Sequence, residues 1–98
     1  MIQLGAANNI KITDVSWMTS LQTLNASGTS GITDYGIKNL KLKSLNASNN
    51  QNITDISWMT SLNILIASGD SGLTDDGIKN LNLKYLDVNG NLKINTKF

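Results

Sequence analysis

The sequence contains no cysteine, proline, histidine, arginine or glutamate, and its aromatics are two tryptophans, two tyrosines and one phenylalanine. Each absence removes a class of function. Without cysteine there is no disulfide framework, so neither an oxidising nor a reducing compartment follows. Without histidine and cysteine, transition-metal sites and most nucleophile–base pairs lose their usual parts. Without arginine there is no bidentate clamp for a carboxylate or phosphate. Eight lysines against seven aspartates leave a net charge of +1, whereas a surface that tracks nucleic acid shows a basic stripe. No apolar run is long enough to span a bilayer and no signal-peptide pattern is present, so the compartment stays open. Neither enzyme chemistry, cofactor, metal, nucleic acid nor membrane is expected.

What is present is repetition. Shifting the chain by 41 residues lays 12–48 on 53–89 with identity at 25 of 37 positions and no gap. Each 41-residue block divides again into units of 20 and 21 residues, which begin at Met1, Leu21, Leu42, Leu62 and Leu83. Within each unit an apolar residue recurs at four places, the first of them the unit's opening residue. The fourth position holds Leu4, Leu24, Leu45, Leu65 and Leu86; the sixth holds Ala6, Ala26, Ala47, Ala67 and Val88; the twelfth holds Ile12, Ile32, Ile53, Leu73 and Ile94. Residues 1–98 therefore read as one solenoid domain. The fourth and sixth positions lie on one face of a short strand. A single coil cannot bury its own apolar edge, and stacking coils makes the core continuous.

Three further columns carry expectations. The ninth position holds Asn9, Thr29, Asn50, Asp70 and Asn91, expected to turn inward and bond backbone groups of a neighbouring coil. Asp14, Asp34, Asp55 and Asp75 precede the backs of the coils and are placed as helix or turn caps. The seventeenth position reads Trp17, Ile37, Trp58 and Ile78, an inward row of alternating size. That placement sets aside the tryptophans as stacking platforms for bases or sugars.

The units LQTLNASGTSGITDYGIKNL and LNILIASGDSGLTDDGIKNL resemble the leucine-rich-repeat family, and the resemblance runs the whole length of the chain. They are similar to its cysteine-containing subtype in the Ile-Thr-Asp-x-Gly pattern, although Thr29, Asn50 and Asp70 stand where that subtype has cysteine. The resemblance implies an α/β solenoid: a right-handed coil with a parallel β-sheet on its concave side and short helices or turns on its convex side. It also implies binding of a protein partner through the concave face.

If that register holds, the second, third, fifth and seventh positions face solvent from the sheet. The first copy is bland there, and the second is not. Thr23 becomes Ile64, Asn25 becomes Ile66, Ser44 becomes Tyr85 and Asn46 becomes Asp87. An aromatic beside aliphatics on a polar sheet has the look of an interface anchor. The competing explanation is drift between copies, since β-branched residues suit strands anyway. The ends form a second candidate, because no capping unit is evident. Met1 and Leu4 at one end, and Leu83, Leu86, Val88 and Ile94 at the other, are expected to face water or a neighbour, giving a homodimer or longer assembly. Asp70, Asp75 and Asp76 lack the loop spacing of a calcium site. The Asn-x-Ser/Thr matches at Asn25, Asn46 and Asn52 matter only in a secreted eukaryotic protein.

Overall fold

Five three-residue strands pair in parallel and in chain order in the computed structural model, which describes residues 2–95. They are β1 (Gln3–Gly5), β2 (Thr23–Asn25), β3 (Ser44–Asn46), β4 (Ile64–Ile66) and β5 (Tyr85–Asp87). Leu4, Leu24, Leu45, Leu65 and Leu86 stand opposite one another across all four pairings. One coil of 20 or 21 residues separates each strand from the next. The chain is thus a β-solenoid, and the five sequence units are its coils 1 to 5. Leu24, Leu45 and Leu65 are buried, as are Ile32, Ile53 and Leu73 from the twelfth position. Burying a leucine or isoleucine side chain fully stabilises by about 1.5–3 kcal/mol, so these repeated rows are what hold the stack together.

Helix is almost absent. The backs of coils 2 and 4 each make a single 3-10 turn, Tyr35–Ile37 and Asp76–Ile78. The helical layer of an α/β solenoid is therefore reduced to two turns among the described residues. Thr, Asp, Ser and Gly fill these stretches, and all are weak helix formers that compete for their own backbone groups.

The backs alternate in phase. Even coils turn Ile37 and Leu40, or Ile78 and Leu81, into the core. In odd coils Val15 and Met18, or Ile56 and Met59, take that role. The Met18 N–H bonds the Val15 carbonyl and the Leu21 N–H bonds that of Met18, each at 2.9 Å. The same three-residue rhythm runs from Ile56 through Met59 to Leu62. It leaves Trp17 and Trp58 between two inward residues and pointing out. The inward reading of the tryptophans is thus corrected: Trp17 is 74% and Trp58 45% exposed.

The polar column alternates as well. Asn50, 1% exposed, donates its side-chain amide to the carbonyls of Ala26 (2.7 Å) and Ile32 (3.1 Å) in the coil before, and its Oδ1 accepts the Asn52 N–H. Asn91 repeats this toward Ala67 and Leu73. In even coils the inward residue is one place later. Ser30 and Ser71 are buried and accept the N–H of Ile32 and Leu73, while Thr29 and Asp70 are exposed. Asn9 is exposed too, and no described coil precedes it. The ninth-position expectation therefore holds for Asn50 and Asn91 and fails for Thr29, Asp70 and Asn9.

Two glycine pairs make the alternation close. At the eighth position the backbone is left-handed in every coil, at Asn8, Gly28, Asn49, Gly69 and Gly90. The side chains of Asn8 and Asn49 accept the N–H of Thr29 and Asp70 in the following coil. A Cβ on Gly28 or Gly69 would collide with those same asparagine oxygens. On the backs, Gly36 and Gly77 lie against the carbonyls of Thr13 and Thr54, and accept the N–H of Val15 and Ile56 at 2.9 and 2.8 Å.

Two stability experiments follow. Asn50→Ala leaves the Ala26 and Ile32 carbonyls short of a donor in a buried site and is expected to cost about 2–3 kcal/mol by urea denaturation, whereas Asn9→Ala costs under about 1 kcal/mol. Gly77→Ala drives a methyl into the Thr54 carbonyl and is expected to lower the melting temperature sharply. Gly5→Ala, where nothing lies within 4 Å, is expected to leave it nearly unchanged.

Candidate functional site

The middle residue of each strand points into the core, so the first and third residues form the outer face of the sheet. From β1 to β3 that face is Gln3, Gly5, Thr23, Asn25, Ser44 and Asn46. On β4 and β5 it becomes Ile64, Ile66, Tyr85 and Asp87. Ile64 pairs directly with Tyr85 and Ile66 with Asp87 across the two strands. Ile64 is 39% and Tyr85 54% exposed; Ile66 and Asp87 are half-buried. The structure thus brings all four residues singled out in the sequence into one two-strand patch.

Ile66 has a local cost that the sequence pattern did not reveal. In three other coils the fifth position carries an acceptor that closes the turn after the strand. Asn25 Oδ1 accepts the Ser27 N–H, Asn46 Oδ1 that of Ser48 and Asp87 Oδ1 that of Asn89, each at 3.0–3.1 Å. Isoleucine has no such atom. The Ser68 N–H instead reaches Ser48 Oγ at 3.1 Å, and the two serine hydroxyls bond at 2.8 Å. Coil 4 gives up its own turn closure and borrows one from coil 3. Asp87 does the reverse: its carboxylate is engaged by the turn of its own coil, which limits what it offers a partner.

The end residues divide. Met1 lies outside the described residues. Leu4 is half-buried against the core, as are Leu86 and Val88. Leu83 and Ile94 are each only 5% exposed, which corrects the expectation that they face water. Both belong to the buried core cluster, to which the inward first and twelfth positions of the other coils also contribute. The large apolar residues that do stand out on coils 1 and 5, besides Trp17 and Tyr85, are Ile2, Ile10 and Leu92, at 48%, 71% and 94% exposure. None of these three sits at a core position of the repeat, and only that mismatch marked them in the sequence.

The aspartates at the fourteenth position hold backbone together. Asp14 and Asp55 close turns within their own coils, each accepting both the N–H and the hydroxyl of Ser16 or Ser57. Asp34 and Asp75 precede the 3-10 turns but do not cap them. Asp34 accepts the N–H and hydroxyl of Thr54 in the following coil at 2.8 and 2.7 Å, and Asp75 accepts the Asn95 N–H at 3.0 Å. The capping expectation is thereby corrected for these two: they are bridges between coils. No group of three or more metal-ligating side chains gathers among the described residues, and no helix there is long and apolar enough to cross a membrane.

The Ser16 hydroxyl and N–H hold the Asp14 carboxyl below its ordinary value, and the Ser57 N–H and hydroxyl do so for Asp55. A carboxyl whose folded value lies below its unfolded one stabilises the fold above the unfolded value, and stops doing so as pH falls through the lowered one. Ser16→Ala and Ser57→Ala keep the backbone N–H and lose the hydroxyl. They are therefore expected to raise the two titration midpoints seen by NMR in part, more for Asp14, whose largest cause is the hydroxyl, and to remove only the hydroxyl's share of the acid sensitivity.

Comparison with protein-family models, with characterised proteins and with solved structures finds no match to this chain.

Proposed function

We propose that this chain is a leucine-rich-repeat-like protein-interaction module and that it binds a protein partner through the outer sheet face at Ile64, Ile66 and Tyr85. The observation that carries this reading is the exposed Ile64–Tyr85 cross-strand pair on a sheet whose other outward residues, Ile66 apart, are polar or glycine. Ile66 adds to it. It stands where three other coils carry the acceptor that closes the turn. An aromatic ring next to a branched aliphatic provides rigid apolar area, the composition from which interface anchors are built.

The test exploits the chain's own first copy. Ile64→Thr, Ile66→Asn and Tyr85→Ser restore the residues of β2 and β3. Peptide-display selection against the native chain is expected to yield convergent binders that the triple variant loses, at a cost of about 2 kcal/mol or more for anchor residues. Ile66→Asn alone is expected to hold or raise stability, because it returns the turn acceptor, while weakening those binders. Selection that yields no convergent binder, or binders indifferent to the triple variant, overturns the reading.

A second reading, self-association through coil 1, is favoured by exposed Ile2 and Ile10 beside half-buried Leu4 and Ile12. Light scattering over a wide concentration range separates the two. A mass fixed near 10.6 kDa removes this second reading, and a dimer abolished by Ile10→Lys establishes it.

A further inference from the structure

The tetrapeptide Trp-Met-Thr-Ser occurs twice, at 17–20 and 58–61. In both copies methionine turns toward the core and tryptophan turns out. The core does not require an indole there, since Met18 and Met59 already fill the inward place. Trp58 forms one wall of a groove of about 420 Å³ where the ends of coils 2 and 3 meet. Its floor is apolar, from Leu40 and Met59, and both are buried. Around the ring stand Asn39, Lys41, Thr60 and Ser61.

We propose that this groove binds a uronate-containing glycan, with Trp58 stacked on a pyranose ring and Lys41 paired with the sugar carboxylate. The site shares no residue with the Ile64–Tyr85 patch and does not rest on that reading. Three features of the groove select the ligand. Trp58 is 45% exposed and lines the groove, and an indole offers a flat apolar platform with a polar edge, which suits a pyranose: apolar on its C–H face and ringed by hydroxyls. Neutral hydrogen-bonding groups surround that platform, as a hydroxyl rim requires. Ser61 Oγ already donates to the Leu42 carbonyl at 2.8 Å and so presents its lone pairs, while the Asn39 amide carries both donors and an acceptor.

Charge decides between sugars. The residues lining the groove include one cation, Lys41, and no carboxylate, so the complement is a single anion on an otherwise neutral ring. A nucleic-acid strand would need a row of cations to follow its backbone. Spacing extends the argument along the stack. Trp17 holds the same position of coil 1, lined there by residues of its own coil and by Leu21, at a separation of about 10 Å at the ordinary strand spacing. That is close to the length of one disaccharide in an extended 1,4-linked chain. Sugars bound at Trp58 and Trp17 would therefore be alternate residues of one oligosaccharide laid along the solenoid.

The experiment is a pair of calorimetric titrations of the full chain, with tryptophan fluorescence recorded in parallel. The probes are a β-1,4-linked mannuronate hexasaccharide and the matching mannose hexasaccharide, which differ only in the carboxylate at C6. Saturable binding of mannuronate in the millimolar range or tighter is expected, with mannose weaker. Trp58→Ala is expected to weaken mannuronate by about tenfold or more, in line with the loss of a stacking platform. Trp58→Phe retains part of that affinity and serves if the alanine variant folds poorly. Lys41→Gln is expected to erase the preference for mannuronate over mannose. Trp17→Ala is expected to weaken the hexasaccharide while leaving a mannuronate disaccharide untouched. No saturable binding, equal affinity for both sugars, or binding indifferent to Trp58 overturns the proposal. So does an oligothymidylate that binds more tightly than mannuronate with the same dependence on Trp58, which would make the groove a single-strand nucleic-acid site.

Discussion

Neighbouring coils are joined backbone to backbone. The Ala26 N–H reaches the Asn46 carbonyl, Ala47 reaches Ile66 and Ala67 reaches Asp87, at 2.7–2.8 Å. Short strands and turns satisfy few of their own polar groups, so each coil must find partners in the next. That constraint explains most of the unusual residue choices. Asn50 and Asn91 reach back to carbonyls of the preceding coil. Asn8 and Asn49 accept from the following one, and Asp34 reaches the following coil through its carboxylate. An asparagine-rich composition is the chemical signature of a chain that stitches layers by side-chain amides.

Much of this was legible in the residues, and the boundary of legibility is physical. The leucine row at Leu4 to Leu86 declared itself because a strand has a period of two and an exact partner in each copy, so register and coil boundaries followed. The backs of the coils were harder. There the chain moves by turns of three residues, and identical position in the alignment does not mean identical direction. Trp17 and Ile37 share a place in the count, yet one faces water and the other the core. Thr29 and Asn50 part in the same way, with Ser30 taking the inward role one residue later. The aspartates showed that an acidic residue before a turn need not serve that turn. Asp34 is used by the coil above it.

The sheet patch was visible as a contrast between copies, because three polar residues and one polar-to-acidic change fell on adjacent strands. What the contrast did not disclose was the price of Ile66, a lost turn acceptor made good by Ser48. The tryptophan groove was hidden for the opposite reason. Trp-Met-Thr-Ser is identical in both copies, so the tryptophans offer no contrast, although Lys41 of the same groove aligns with Asn82, and only the phase of the odd-coil turn shows the ring to be outside. One candidate site thus arises where the two copies differ, and the other around a tetrapeptide that they share.

The alternation of asparagine and glycine at the left-handed eighth position has a bearing on descent. An asparagine that bonds the following coil is matched by a glycine there, since the oxygen of Asn8 occupies the space that a Cβ at residue 28 would take and would have to move, with its hydrogen bond, to admit one. Glycine follows glycine without conflict at Gly69 and Gly90, where the Asn91 N–H turns to the Val88 carbonyl of its own coil. Steps of 41 residues carry the asparagine-to-glycine contact from Asn8 and Gly28 to Asn49 and Gly69. The double coil is accordingly the unit in which that contact is made, and it is the unit that the 41-residue repeat of the sequence preserves.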